Sequence, residues 1–134
     1  MQRQLTDEHL DKIKKYFRAV NYLTASQIYL QDNYLLEREL KLQDIKPRLL
    51  GHWGTCPGIS FVYTMLNYMQ IQTPRQLMYI VGTGHGFPAI QANLFVEQTL
   101  SSFYPKATHT REGIEYISKN FSWPYGFPSH SSPE

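Results

Sequence analysis

Only one stretch of this 134-residue chain has the makeup of a β-strand: Leu77-Met78-Tyr79-Ile80-Val81, bounded by Pro74-Arg75 and by Gly82. A short, wholly apolar run of this kind is how a strand covered on both faces reads. One strand cannot hold a sheet. Either further strands escape the pattern, or the chain is the opening part of a larger fold. We adopt the second reading. The expectation is an α/β fold, rich in helix, with one clear buried strand, in a single unit from 1 to 134.

Helices account for most of the remainder. Leu10, Ile13, Phe17 and Val20 recur at helical steps, with Thr6 as a cap and Asp7 and Glu8 at the positive end. Thr24 and Gln27 then read as the capping box of a second helix, with Leu23 and Ile28 as its staple, running from Ala25 to Leu30. Residues 34–50 read as loop. Gly51-His52-Trp53-Gly54-Thr55-Cys56-Pro57-Gly58 is a tightly bent loop feeding a helix of about Ile59 to Met69. That helix is apolar around much of its circumference, so burial on most sides is expected. Pro88 opens a further helix through about Val96, and a last one spans about Arg111 to Lys119 after a Thr108 or Thr110 cap. The tail from Phe121 to Glu134 has no periodicity.

Composition narrows the function classes. Hydrophobic residues make up 42%, enough for a core, while charged residues are only 18%, below the usual quarter. Ten tyrosines, seven phenylalanines and two tryptophans fill the gap, which points to surface that something covers. A net charge of +2 makes no electrostatic case for nucleic acid. No apolar run approaches the ~20 residues of a membrane span, and one cysteine allows no internal disulfide, so the expected setting is the cytoplasm.

Chemistry points to the loops. His52, His85 and His130 each sit among glycines or prolines at the end of an element, where small neighbours let a ligand approach. Three histidines around one pocket would suit a hydroxylated, phosphorylated substrate. Ordinary loop histidines bonded to backbone are an equal alternative. Cys56 with His52 could be a nucleophile pair, although a small buried thiol is the commoner case. There is no metal-ligand spacing, and the turn Gly82-Thr83-Gly84-His85-Gly86-Phe87, with Phe87 where the G-x-G-x-x-G fingerprint has its third glycine, is a weak dinucleotide signal. Lys46 and Arg48 could take phosphate or be a solvated basic pair.

Several of these segments are recognisable together. Asn21-Tyr22-Leu23, Gln27-Ile28-Tyr29-Leu30, the run from Lys46 to Gly58, Gly82 to Ala89, Phe121-Ser122-Trp123-Pro124 and Pro128-Ser129-His130 resemble the start of phosphoketolases. The resemblance covers essentially the whole chain. It implies part of a transketolase-like, thiamine-diphosphate-binding fold. It also implies a place in an aldehyde-lyase family of carbohydrate metabolism, which cleaves xylulose 5-phosphate or fructose 6-phosphate with inorganic phosphate to give acetyl phosphate. By the same resemblance, His52, His85 and His130 match catalytic histidines that hold sugar hydroxyls and assist proton transfer and loss of water. Gly84 and Gly86 match glycines that let the chain pass close to the cofactor.

The departures carry their own expectations. Where the family has a histidine and an arginine on the apolar helix, this chain has Met65 and Tyr68, and Phe87 and Tyr125 stand at family glycines. The magnesium and diphosphate segment and the cofactor-activating glutamate of the family would follow beyond Glu134. Thiamine diphosphate and magnesium are therefore expected to belong to the family rather than to be bound by this chain alone. Expected partners are a sugar phosphate in a completed enzyme, a full-length phosphoketolase, or a second copy of the chain.

Overall fold

The computed structural model describes residues 5–132. The extreme start from Met1 to Gln4 and the last tail residues, Pro133 and Glu134, lie outside the described residues. Four α-helices make the body: α1 Asp7–Tyr29, α2 Cys56–Gln72, α3 Phe87–Val96 and α4 Arg111–Asn120. Single 3₁₀ turns at Leu42–Asp44, Gly84–Gly86 and Leu100–Ser102 punctuate the connections.

The expected α/β fold is not what forms. Among the described residues there is no strand and no sheet, only isolated bridges between Leu30 and Ile45 and between Phe121 and Phe127. Leu77–Val81 is extended but not buried: Met78 is 86% and Ile80 80% exposed, while Tyr79 and Val81 turn inward onto the core. The backbone groups of residues 78–82 find no partner among the described residues. The physical reason is that a strand is defined by its ladder, and among the described residues this run has no second strand to pair with. Its alternation of inward and outward residues is that of a half-covered segment, which an all-apolar sequence conceals.

α1 is the axis of the fold and packs against α2, α3 and α4. Thr6 caps it, its Oγ1 accepting from the His9 N–H at 3.3 Å, with Asp7 and Glu8 in the first turn. The helix does not break near residue 24. Thr24 donates back to the Val20 carbonyl at 2.6 Å, and Gln27 donates to the carbonyls of Leu23 and of Pro88 in α3. These two side chains therefore face the interior instead of capping a second helix. α2 also departs from expectation. Phe61, Val62 and Met69 lie on an exposed face, so the helix is covered on one side only.

Two apolar clusters hold the helices. Val20, Leu23, Ala92, Phe95, Ile117 and Phe127 join α1 to α3 and α4. Ile28, Cys56, Ile59, Ala89 and Phe121 form the second, at the end of the body where α2 and α3 begin. The glycine-rich loops sit over that second cluster.

Candidate functional site

Each histidine reaches the same place by a different local device. Gly51 precedes His52 with φ +96°, a conformation that favours glycine, and a Cβ there would stand 3.0 Å from both Ile28 and Pro88. The chain turns at this point and the His52 N–H donates to the His85 carbonyl at 2.9 Å. The His52 Nδ1 accepts from the Thr55 N–H at 3.1 Å. A neutral ring in that position carries its proton on Nε2, which leaves one outward donor.

His85 lies in the 3₁₀ turn Gly84–Gly86 that opens α3. Its ring meets that of His52 edge to face at 4.8 Å between centroids, and that of His130 at 6.3 Å. His130 packs over Gly84, where a Cβ would come within 2.6 Å of the imidazole Cδ2. The Ser129 hydroxyl lies 3.2 Å from the His130 Nδ1. A Cβ on the buried Gly86 would strike Ile59 at 2.3 Å. Both glycines thus have a packing reason within this chain. All three histidines are exposed, and His85 is the middle of the row.

Three clustered imidazoles can donate to and accept from hydroxyl and phosphate oxygens. They are a poor match to magnesium, which takes oxygen ligands and usually carboxylates. Among the described residues no group of three or more His, Cys, Asp or Glu side chains is arranged to hold a metal ion. The donor set at the histidines therefore does not fit a magnesium ion, although it can bond the oxygens of a phosphate group. Cys56 is buried beneath the loops, with its sulfur 3.8 Å from the Gly86 carbonyl, and burial pushes its thiol up. It is packing material, not an activated nucleophile.

The profile of the XFP N-terminal domain matches residues 4–134. Across 130 residues the chain is 48% identical to a probable phosphoketolase of Rhodopseudomonas palustris strain TIE-1. The chain belongs to the phosphoketolase family. It is also 48% identical over 132 residues to a probable phosphoketolase 2 of a Nostoc species, and over 130 residues to a probable phosphoketolase of Nitrosomonas europaea. These alignments take in 97%, 98% and 97% of this chain but only 17%, 17% and 16% of the relatives. The chain thus spans about a sixth of the length of the phosphoketolases it matches.

Two phosphoketolase departures can now be placed. Phe87 opens α3 and packs partly buried against the second cluster. Tyr125 is fully exposed and has φ +61°, the left-handed conformation that glycine adopts without strain. Neither side chain makes a ring contact with the three histidines.

Sequence reasoning missed the role of Lys46. Far from a solvated or phosphate-binding residue, it is only 5% exposed. Its Nζ donates to the carbonyls of Gln27 and Ser118, both at 2.7 Å, and of Phe121 at 2.9 Å. Burial pulls its pKa down to about 8. A second polar cluster went equally unseen, at the opposite end of α2 and α3. There the Glu97 carboxylate accepts from Tyr16, Tyr63 and Asn67, tying α1, α2 and α3 together. Burial first, and Glu97 second, pushes the Tyr16 phenol up. No helix among the described residues is long and apolar enough to cross a membrane.

Proposed function

We propose that this chain is a phosphoketolase-family segment whose histidine row binds and orients a sugar phosphate, and that it does not turn over substrate by itself. The observation that carries the reading is the convergence of His52, His85 and His130, with rings 4.8 and 6.3 Å apart, at the open end of the body. The family reaction, as it would run in a completed enzyme, takes fructose 6-phosphate or xylulose 5-phosphate and inorganic phosphate to acetyl phosphate, an aldose phosphate and water. Thiamine diphosphate with magnesium supplies the carbon–carbon cleavage chemistry in that family. In this chain the outward Nε2–H of His52 would hold a sugar hydroxyl, His85 would pass a proton along the row, and His130 would close over the substrate. A cytoplasmic setting belongs to the same reading.

The test is complementation. A phosphoketolase lacking the matched stretch is mixed with this chain, fructose 6-phosphate, phosphate, thiamine diphosphate and magnesium, and acetyl phosphate is measured. The expected result is product from the mixture and none from either part alone. If the mixture is silent and fructose 6-phosphate shifts no histidine ring signal of the chain, the reading is wrong.

A second reading has its own observation. Phe61, Val62, Met69, Met78 and Ile80 leave one side of α2 and the extended segment open and apolar. A non-catalytic module that associates with a full-length phosphoketolase would use such a face. Separate elution of the two proteins from a sizing column, at concentrations well above micromolar, would count against it.

A further inference from the structure

We propose that Lys46 is the positioning residue of the histidine row, its buried ammonium holding the roots of the segments that carry His52 and His130 against the end of α1. The inference rests on the reading above of what the row does. The three accepting carbonyls belong to Gln27 near the end of α1, Ser118 near the end of α4, and Phe121 just past it. Carbonyls at helix C-termini lack helical partners and carry partial negative charge, so a three-donor cation matches them in number and sign. The Phe121 ring lies 5.6 Å from the ammonium and adds to the fit. Among the described residues no carboxylate forms a salt bridge with Lys46.

The connectivity gives this clamp its consequence. Lys46 itself begins the segment that leads through Pro47 to His52, and its N–H is held by the Tyr29 carbonyl at 2.8 Å. Phe121 begins the segment that leads to His130. That segment is closed by Phe127 N–H to the Asn120 carbonyl and Ser122 N–H to the Phe127 carbonyl, both at 2.8 Å. His85 is placed by the packing of Gly86 on Ile59 at the start of α3 and by the His52 N–H bonded to its carbonyl. One cation therefore adds to the hold on the His52 segment and sets His130 relative to the other two histidines. Lys46 is a member of neither apolar cluster, so the body is expected to fold without it while the row loses its spacing.

The experiment is nuclear magnetic resonance on the whole chain, reading ring-to-ring cross-peaks of the histidines with no sugar phosphate present. In Lys46→Met and Lys46→Ala the core cross-peaks of Val20 in α1 and Phe95 in α3, both in the first cluster, are expected to persist. The His85–His130 cross-peak should fall at least five-fold. Propylammonium, which replaces the missing atoms and charge in Lys46→Ala, should restore it, and propanol should not. Both variants folded with the cross-peak unchanged would overturn the proposal. So would recovery with propanol, which would make the effect one of filled volume. Failure of both variants to fold would overturn it too, because Lys46 would then serve stability and not placement. Since the readout needs no substrate, its result stands apart from the outcome of the complementation test.

Discussion

The His52 N–H donates to the His85 carbonyl at 2.9 Å, and the two rings meet edge to face at 4.8 Å. The main chain thus joins the two glycine-rich loops, while the imidazoles project from that junction. Placement and chemistry are carried by different atoms of the same residues. Removing a ring leaves the junction standing.

His85→Ala should therefore act on function and not on folding. Its backbone carbonyl still accepts from His52, and the exposed ring contributes little to the core. In the complemented enzyme, acetyl phosphate formation should drop on the order of 100-fold, the usual worth of a positioned acid–base group. Thermal unfolding of the chain should move by no more than about 2 °C, since exposed substitutions cost little. Parent-level product formation would remove His85 from the mechanism.

Gly84→Ala tests the geometry of the row without touching a histidine. The added methyl would stand 2.6 Å from the His130 Cδ2, so the ring must swing away from His85. The expected outcome is a weakened His85–His130 cross-peak with His52–His85 contacts retained. An unaltered His130 would mean that the ring does not rest on Gly84 in solution.

Gln91 is buried in α3 with neither its amide nitrogen nor its amide oxygen hydrogen-bonded. Orphaned buried polar groups of this kind cost about 1–3 kcal/mol. Gln91→Met, close in volume, should stabilise the chain by a similar amount in a urea titration. A loss of stability would show that the amide is satisfied in a way the structure does not contain.

Tyr125 offers a smaller gain. Its φ of +61° disfavours any residue with a Cβ, and its ring covers nothing. Tyr125→Gly should relieve about 1–2 kcal/mol of backbone strain and give back part of it through the freer unfolded chain, for a net gain below about 1 kcal/mol. The chemical-denaturation midpoint reads it directly.

Acid stability should depend on one buried carboxylate. Arg38 donates to both oxygens of Asp44, at 2.6 and 2.7 Å, and the Lys41 N–H adds a third bond at 2.9 Å. The Arg38 guanidinium, more than the backbone bond, holds the Asp44 pKa down to about 2 from an ordinary 3.8. The unfolded chain takes up that proton first as pH falls. The contribution is thus complete above about pH 4 and is lost as pH falls toward 2. Melting curves between pH 2 and 5 should show this limb in the parent and lack it in Arg38→Ala.

What the sequence made legible follows the range of each interaction. Thr6 reads correctly as a cap, and Thr110 proves to be the cap of the two candidates Thr108 and Thr110, because a cap is settled within three residues. Thr24 and Gln27 form an equally good local pattern, yet Gln27 is spoken for by Pro88, 61 residues away. Periodicity carries no record of such a partner. Leu77–Val81 failed for the converse reason, since strand character needs a neighbour that the pattern of one run cannot supply. Lys46 illustrates the limit most plainly: its acceptors lie 19, 72 and 75 residues distant. The histidines stand out by their glycine- or proline-rich settings, but only the folded chain puts His130 beside His85.

The interior described above has a thermal consequence. Among the described residues, ten buried polar or charged side chains accompany fifteen buried hydrophobic ones, and four of the latter are no larger than alanine or cysteine. Exposing apolar surface raises the heat capacity of unfolding, and exposing polar surface lowers it. A helical body closed so largely by hydrogen bonds will gain less heat capacity when it opens. Its free energy of unfolding will then trace a shallow arc with temperature, holding nearly level in the cold and yielding gradually in the warm.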